Sequence, residues 1–429
     1  MRLVVCRLSA LAAAGALLTG CLPTRRSPIA APMRLPAGVA DSVITDGIAA
    51  GARLHRIVNL TAPWRAHVLE VDLTCTTLRA LKGGPTAVGR TTTSRLLAAL
   101  PDSARAVAAI NADFFLSAPP GVPTNLHVEQ GLVITGPGPK PVVLVEAGRV
   151  AIDTVVVQGE VARGDARVPL VAWNRPAPMR AGVVDARWGV PLDTSVRRNA
   201  WRLDPLSVER DRAERASGSG SGSGSGPSSA AASAALRGTY VVRALRPGDT
   251  LAVGDTLLLH LPPPRAARTP ARAPTRAAPL QLADGDTVRL DVALAVGGRR
   301  TAIADAVSGR PIVLADSAIT ADADTEGNAG FRQLNPRSAI GIDRGATRAW
   351  IAVIDGRQPG YSMGMTLRQV GALMQALGAT RALNLDGGGS SALVVRGPGG
   401  TAAPVNRPSD PTERAVGNAL AVLSRCARP

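Results

Sequence analysis

Asp386 stands in the run LNLDGGGSS (residues 383–391), where a short apolar strand delivers one carboxylate to three glycines, Gly387, Gly388 and Gly389, and two serines, Ser390 and Ser391. Glycine amides approach an anion without side-chain obstruction and serine hydroxyls add donors, so such a turn suits a phosphate or a sugar. Four further clusters carry comparable chemistry. INADFF (residues 110–115) puts the amide of Asn111 and the carboxylate of Asp113 at a strand end, before two aromatics. NPRSAIG (residues 335–341) opens a strand with Arg337, whose planar guanidinium matches a phosphate or carboxylate. DGRQPGYS (residues 355–362) offers Asp355 and Arg357 in a loop between an apolar strand and a helix. VNRPSDPTER (residues 405–414) supplies Asn406, Glu413 and Arg414 ahead of the last strand. Taken singly, each cluster is explained equally well by turns, caps and ion pairs.

Three familiar patterns fail on their context. Residues 360–364, GYSMG, satisfy the Gly-x-Ser-x-Gly elbow of hydrolases, but there the strand runs directly into the nucleophile, whereas here it ends near Ile354. The triple glycine lacks the Gly-Lys-Ser/Thr ending and following helix of a nucleotide P-loop. Asp322, Asp324 and Glu326 hint at a calcium loop, yet Gln333 stands where a bidentate Glu belongs.

The elements that must position these groups read mainly as short β-like runs punctuated by Gly and Pro, such as residues 142–145, 150–157 and 350–354. Helices are few. Thr366 and Gln369 form a capping box for a helix whose buried stripe is Leu367, Val370, Leu373, Met374 and Leu377, and Gly378 stops it. A second helix spans residues 92–100 and ends at Pro101. This mixture predicts an α+β fold: a single large mixed domain, residues 46–426, with extensive β-sheet, few helices and two disordered insertions. The insertions are a Ser/Gly repeat at about 209–236 and a Pro/Ala/Arg tract at about 262–279, each flanked by strand-like sequence.

The chain has 429 residues and a formal charge of +17, from 49 basic and 32 acidic residues. Lys occurs only at Lys82 and Lys140, so the excess is arginine, alongside abundant Ala, Gly and Pro. With five Trp, two Tyr and three Phe scattered rather than interleaved with Arg, the aromatic platforms of nucleic-acid modules are missing. No nucleic-acid partner is expected; acidic glycans or anionic headgroups suit the charge better. Arg2 and Arg7 precede an apolar run too short to span a bilayer, which ends in LTGC with Cys21. That ending resembles the bacterial lipobox. It implies a signal peptide over 1–21, a lipidated Cys21, a flexible tether over 22–45 and anchoring in the cell envelope, at the periplasmic face of the outer membrane in a diderm host. Export leaves Cys75 and Cys426, either paired or as free thiols. No Cys/His cluster points to a metal and no motif to a cofactor.

In order and wording, INADFF, PRSAIGID, DGRQPGYSMGMT, ALNLDGGGSSALVV and VNRPSDPTERAVGNAL resemble the phosphodiester glycosidase family, which includes the animal lysosomal uncovering enzyme and bacterial envelope and exopolysaccharide-associated proteins. The run AVSGRPIVLAD (residues 306–316) extends the likeness, with Ser308 where a Gly is usual. Asp113 departs from it, since members often carry a smaller residue there. The resemblance implies a hydrolase that cleaves a sugar-1-phosphodiester at the glycosidic bond, releasing the sugar and leaving a phosphomonoester. Within it, Asp386 takes the carboxylate role with Asp355 second, while Arg337 and Arg357 clamp phosphate. The glycine amides, Ser390 and Ser391 bind the same anion, Asn111, Asp113 and Asn406 contact substrate oxygens, and Glu413 positions Arg414. The competing expectation is a glycan-binding or scaffold lipoprotein without turnover.

Overall fold

Nearly every apolar run becomes a strand, including those without alternation. The computed structural model describes residues 39–208, 235–246, 248–249, 252–263, 280–325 and 329–426, all within the unit Arg34–Pro429. The expected signal segment, Cys21, the tether up to residue 38 and most of both insertions lie outside these residues.

The described strands form three sheets. In the eight-stranded sheet, Trp64–Asp72, Arg348–Ile354, Arg337–Ile342, Arg381–Asn384 and Ile312–Ala315 lie side by side in that order. A five-stranded sheet places Ala106–Asn111 between Leu393–Arg396 and Asn418–Ser424, with Thr76–Lys82 beyond. The third, larger sheet is built on the long strands Arg149–Arg163 and Thr287–Val296. One apolar core joins all three: Leu69, Ile340, Ile351 and Leu383 pack with Ile110, Leu420 and Val422, and with Val143 and Val150.

The α+β expectation is therefore corrected. Strands make up 48% of the described structure and helix only 10%, a β-rich fold. The helix signals themselves are real: Leu367–Leu377 carries the Thr366–Gln369 capping box and stops at Gly378 in the left-handed region (φ 103°). The second, Thr93–Ala98, is capped by Thr92. Both are small against the sheets they cover. The 367–377 helix nevertheless sits close to its sheet, since a Cβ on Gly371 would stand 2.7 Å from the carbonyl of Val313. Order also begins earlier than expected, as the strand Val39–Ala49 starts inside the stretch read as a tether.

Cys75 and Cys426 are disulfide-bonded, with Cα atoms 5.1 Å apart at a sequence separation of 351. Strand register brings them together, because Thr76 pairs with Ser424 on adjacent antiparallel strands. Among the described residues no helix is long and apolar enough to cross a membrane.

Candidate functional site

The site lies on the seam between the eight- and five-stranded sheets, where three acidic residues follow strand ends. Asp355 follows Arg348–Ile354, Asp386 follows Arg381–Asn384, and Asp113 follows Ala106–Asn111. The seam is stitched by backbone: Asp386 N donates to Ala112 O at 2.8 Å, just after Leu385 N has closed its own sheet by donating to Ser338 O at 2.8 Å. Asn111, wholly buried, completes the stitch. Its Nδ2 donates to Asp386 O at 2.6 Å, and its Oδ1 accepts from Ser338 Oγ (2.7 Å) and Ala392 N (3.1 Å). Asn111 thus holds the Asp386 turn in place rather than facing a substrate.

The glycine turn is shaped by what presses on it. Gly388 sits at φ 63°, a conformation that favours glycine, and its N donates to Pro336 O at 3.0 Å. A Cβ there would lie 3.3 Å from Nη1 and Nη2 of Arg357, so that guanidinium stands directly over the turn. A Cβ on Gly389 would collide with Arg414 Nη2 and the Asp410 carboxylate. Arg357 is exposed, aimed by Asn335 Oδ1, which accepts from its Nε at 3.0 Å. Arg414 is aimed by Asp410, with Nη2 to Oδ2 2.7 Å. Two cations therefore flank three glycines. Within the same turn, the hydroxyls of Ser390 and Ser391 are buried and have no hydrogen-bond partner among the described residues. Buried polar groups are ordinarily paired, so two orphans beside an amide-rich turn mark where a polar ligand or water belongs.

Burial pushes the Asp386 carboxyl up to about 6, opposed by the Ser390 hydroxyl, the Arg414 charge and the Gly387 amide. The Ser390 hydroxyl is thus the polar neighbour of this carboxyl, although it meets no partner at full hydrogen-bond geometry. Asp113, 1% exposed, is pushed by burial up to about 7, against the pull of the Asn125 amide and Lys140 and with the push of Asp386.

The other expected residues do different work. Asp355 is 1% exposed and its carboxylate is fully engaged, accepting from Asn406 Nδ2 (3.1 Å), Arg407 N (3.0 Å) and Tyr361 Oη (3.2 Å), with His67 Nε2 3.4 Å away. Asn406 also donates to Ser391 O and accepts from Leu393 N, which fixes the end of the serine pair. Arg337 donates to the carbonyls of Met365, Gly330 and Gln333, bracing its loop, and burial lowers its pKa to about 10. Glu413 accepts from Ser94 N at 2.9 Å, at the start of the Thr93–Ala98 helix; Asp410, not Glu413, positions Arg414. Ser362 of the rejected elbow is spent, its hydroxyl donating to Asp355 O (2.6 Å) and accepting from Arg65 N (3.1 Å). Asp322 and Asp324 of the calcium-like run lie in a helical turn, Asp322–Thr325.

Residues missed at the level of sequence are Asp410, Asn335, Tyr361 and Asn418. Tyr361 is flanked by Arg65 and Arg407, whose guanidinium carbons lie 4.7 and 5.1 Å from its ring centre. Asn418 Oδ1 accepts from Asp113 N at 2.8 Å. All four sit inside or beside the motifs quoted above, so their signal was proximity in sequence to groups with more obvious chemistry.

Two solved structures share the fold. A hypothetical protein from Synechocystis aligns with TM-score 0.61 at 19% identity over 88% of this chain, which spans 62% of that protein's length. A Burkholderia pseudomallei K96243 protein described as exported aligns with TM-score 0.55 at 21% identity, covering 85% of this chain and 74% of its own. The zebrafish N-acetylglucosamine-1-phosphodiester alpha-N-acetylglucosaminidase catalytic domain, auto-inhibited by its pro-peptide, aligns with TM-score 0.41 at 14% identity, covering 90% of this chain and 82% of its own. No curated protein sequence matches the chain. The stretch that carries Arg337, Asp355, Arg357, Asp386, the glycine turn and Arg414, residues 265–423, matches the phosphodiester glycosidase family.

Proposed function

We propose that the chain hydrolyses the glycosidic bond of a sugar-1-phosphodiester, releasing the sugar and leaving a phosphomonoester. One observation supports this reading above the others: the ionisable Asp386 shares a turn with two orphaned hydroxyls, and that turn's glycines are flanked by the guanidiniums of Arg357 and Arg414. Arg357 and Arg414 and the hydroxyls of Ser390 and Ser391 hold the phosphate, while the Gly388 amide is engaged by Pro336 O and the Gly387 amide by the Asp386 carboxyl. Water attacks the anomeric carbon and gives a proton to the Asp386 carboxylate. The bond from that carbon to the phosphate oxygen breaks, and its electron pair stays on the phosphate, where the two cations stabilise it. A phosphate already leaves well, so anion stabilisation and one carboxylate suffice.

Asn111 and Asn406 position the turn, and Asp355 anchors the loop that carries Arg357. In this reading the protein works in the cell envelope, exported and anchored through a lipidated Cys21, as its lipobox-like LTGC implies. Undiminished membrane retention of Cys21→Ala would count against the anchor. For the activity, incubation with a panel of glycosyl-1-phosphodiesters is expected to release free sugar. Glycan binding without release from any panel member would instead establish a non-catalytic envelope protein.

A further inference from the structure

Arg407 lies where the two loops that carry Arg357 and Arg414 are joined. Its N donates to Asp355 Oδ1 at 3.0 Å, and its carbonyl accepts from Gln358 Nε2 at 3.0 Å. Its exposed guanidinium stacks on the Tyr361 ring, which also carries Arg65, whose Nε donates to Tyr361 O at 3.3 Å. Tyr361 is fixed in turn by its hydroxyl, which donates to Asp355. The acid of this corner is spent on Asn406, Arg407 N and Tyr361 and pairs with neither guanidinium. Among the described residues no carboxylate pairs with Arg65 or Arg407, whereas Arg414 has Asp410. Stacking on a ring orients a guanidinium fork without consuming its hydrogen-bond donors. Two forks held this way, with no counter-ion of their own, present those donors to an anion from solution.

We propose that Arg407, Arg65 and Tyr361 form a second anion subsite, which takes a phosphate or carboxylate carried by the acceptor of the phosphodiester. The proposal rests on the hydrolase reading above and names its substrate class: glycosyl-1-phosphodiesters whose acceptor bears a further negative charge. Contacts place the subsite beside the phosphate. Asn406, the residue before Arg407, donates to Ser391 O at 3.1 Å from the same amide that meets Asp355. Asp386 opens the glycine turn and Ser391 closes it, so the subsite borders the end of the turn away from the carboxylate that takes the water proton. With the sugar toward Asp386, the acceptor arm of the ester extends toward Arg407.

The test compares three glycosyl-1-phosphodiesters of one sugar, whose acceptors are glycerol, glycerate and glycerol phosphate. In the full-length wild type, kcat/KM is expected to be about tenfold to a hundredfold higher with either anionic acceptor than with glycerol, the size of a charged hydrogen bond. High salt should shrink that ratio, because Arg407 is exposed. The ratio is read within each variant, so a general loss of activity cancels. It should vanish in Arg407→Gln, fall in Arg65→Gln and survive in part in Arg407→Lys. Arg289→Gln, an exposed cation of the third sheet, should keep it, since the overall charge does not select the acceptor. Equal kcat/KM on all three substrates would overturn the proposal, as would a ratio unchanged in both Arg407→Gln and Arg65→Gln or lost equally in Arg289→Gln. Calorimetric binding of glycerol 1,3-bisphosphate against glycerol 1-phosphate needs no turnover and should show the same preference and its loss in Arg407→Gln. That binding pattern without hydrolysis would sink the enzyme reading alone, and hydrolysis without acceptor preference would sink the subsite alone.

Discussion

Asp355 and Asp386 both follow the end of a strand in the same sheet, and both belong to motifs that point to a sugar-phosphate site, yet they live in opposite surroundings. Around Asp355 the carboxylate accepts from a side-chain amide, a backbone amide and a phenol. Around Asp386 two buried hydroxyls have no partner and burial raises the carboxyl to about 6. The first corner is complete without a ligand; the second is not. Membership in a motif does not separate scaffold from site, whereas the balance of satisfied and unsatisfied polar groups does.

Substitutions can break this contrast. The largest expected effect is on activity: Asp386→Asn should lower kcat on a glycosyl-1-phosphodiester by about 10²–10⁴-fold while leaving the melting temperature unchanged or raised, because it removes a buried charge. In the wild type the acid limb of kcat should rise through about pH 6, since Asp386 must be ionised to accept the water proton. Asp355→Ala should do the reverse, costing about 3–5 kcal/mol of stability in denaturant unfolding by stranding Asn406, Arg407 N and Tyr361. If Asp355→Ala folded normally and lost only turnover, the division of labour would be wrong. A smaller effect, about 1.5–3 kcal/mol in kcat/KM, is expected for Arg357→Ala, the loss of charged hydrogen bonds to the phosphate. It should appear in KM more than in folding, because Arg357 is exposed and the described hydrogen bond of its side chain is to Asn335. The smallest, about 0.5–2 kcal/mol of stability, is expected for Glu413→Ala, which removes the acceptor for Ser94 N and leaves Arg414 with Asp410; a large loss of substrate affinity would restore Glu413 to the site.

Local rules were legible in the sequence and long-range ones were not. The Thr366 cap, the Gln369 box and the Gly378 stop are settled within a dozen residues. The strand Ala106–Asn111 is buried at every position, so it shows no alternation, and period alone does not distinguish it from a buried helix. Weighing two visible helices against strands without a clear period produced the α+β expectation. The roles of Asn111, Arg337 and Glu413 were hidden for a different reason. Asn111 bonds Ala392 across 281 residues and Glu413 bonds Ser94 across 319, partners that exist only once the sheets meet. Residue type and motif order found the right neighbourhood; the seam assigned the tasks within it.

The bridge between Cys75 and Cys426 also decides how the molecule answers tension. A pull on the chain from either side of the two cysteines passes through the sulfur–sulfur bond and bypasses the ring between them, a sequence separation of 351. Among the described residues, what lies outside the ring on the N-terminal side is the edge strand Val39–Ala49 and the two strands next to it, Ala52–Asn59 and Trp64–Asp72. These can peel in sequence while the strands carrying Asp113 and Asp386 stay paired, until the peel reaches His67, 3.4 Å from Asp355. The covalent loop thus acts as a mechanical shunt, letting rupture start at the edge strand Val39–Ala49 and sparing the turn at the centre.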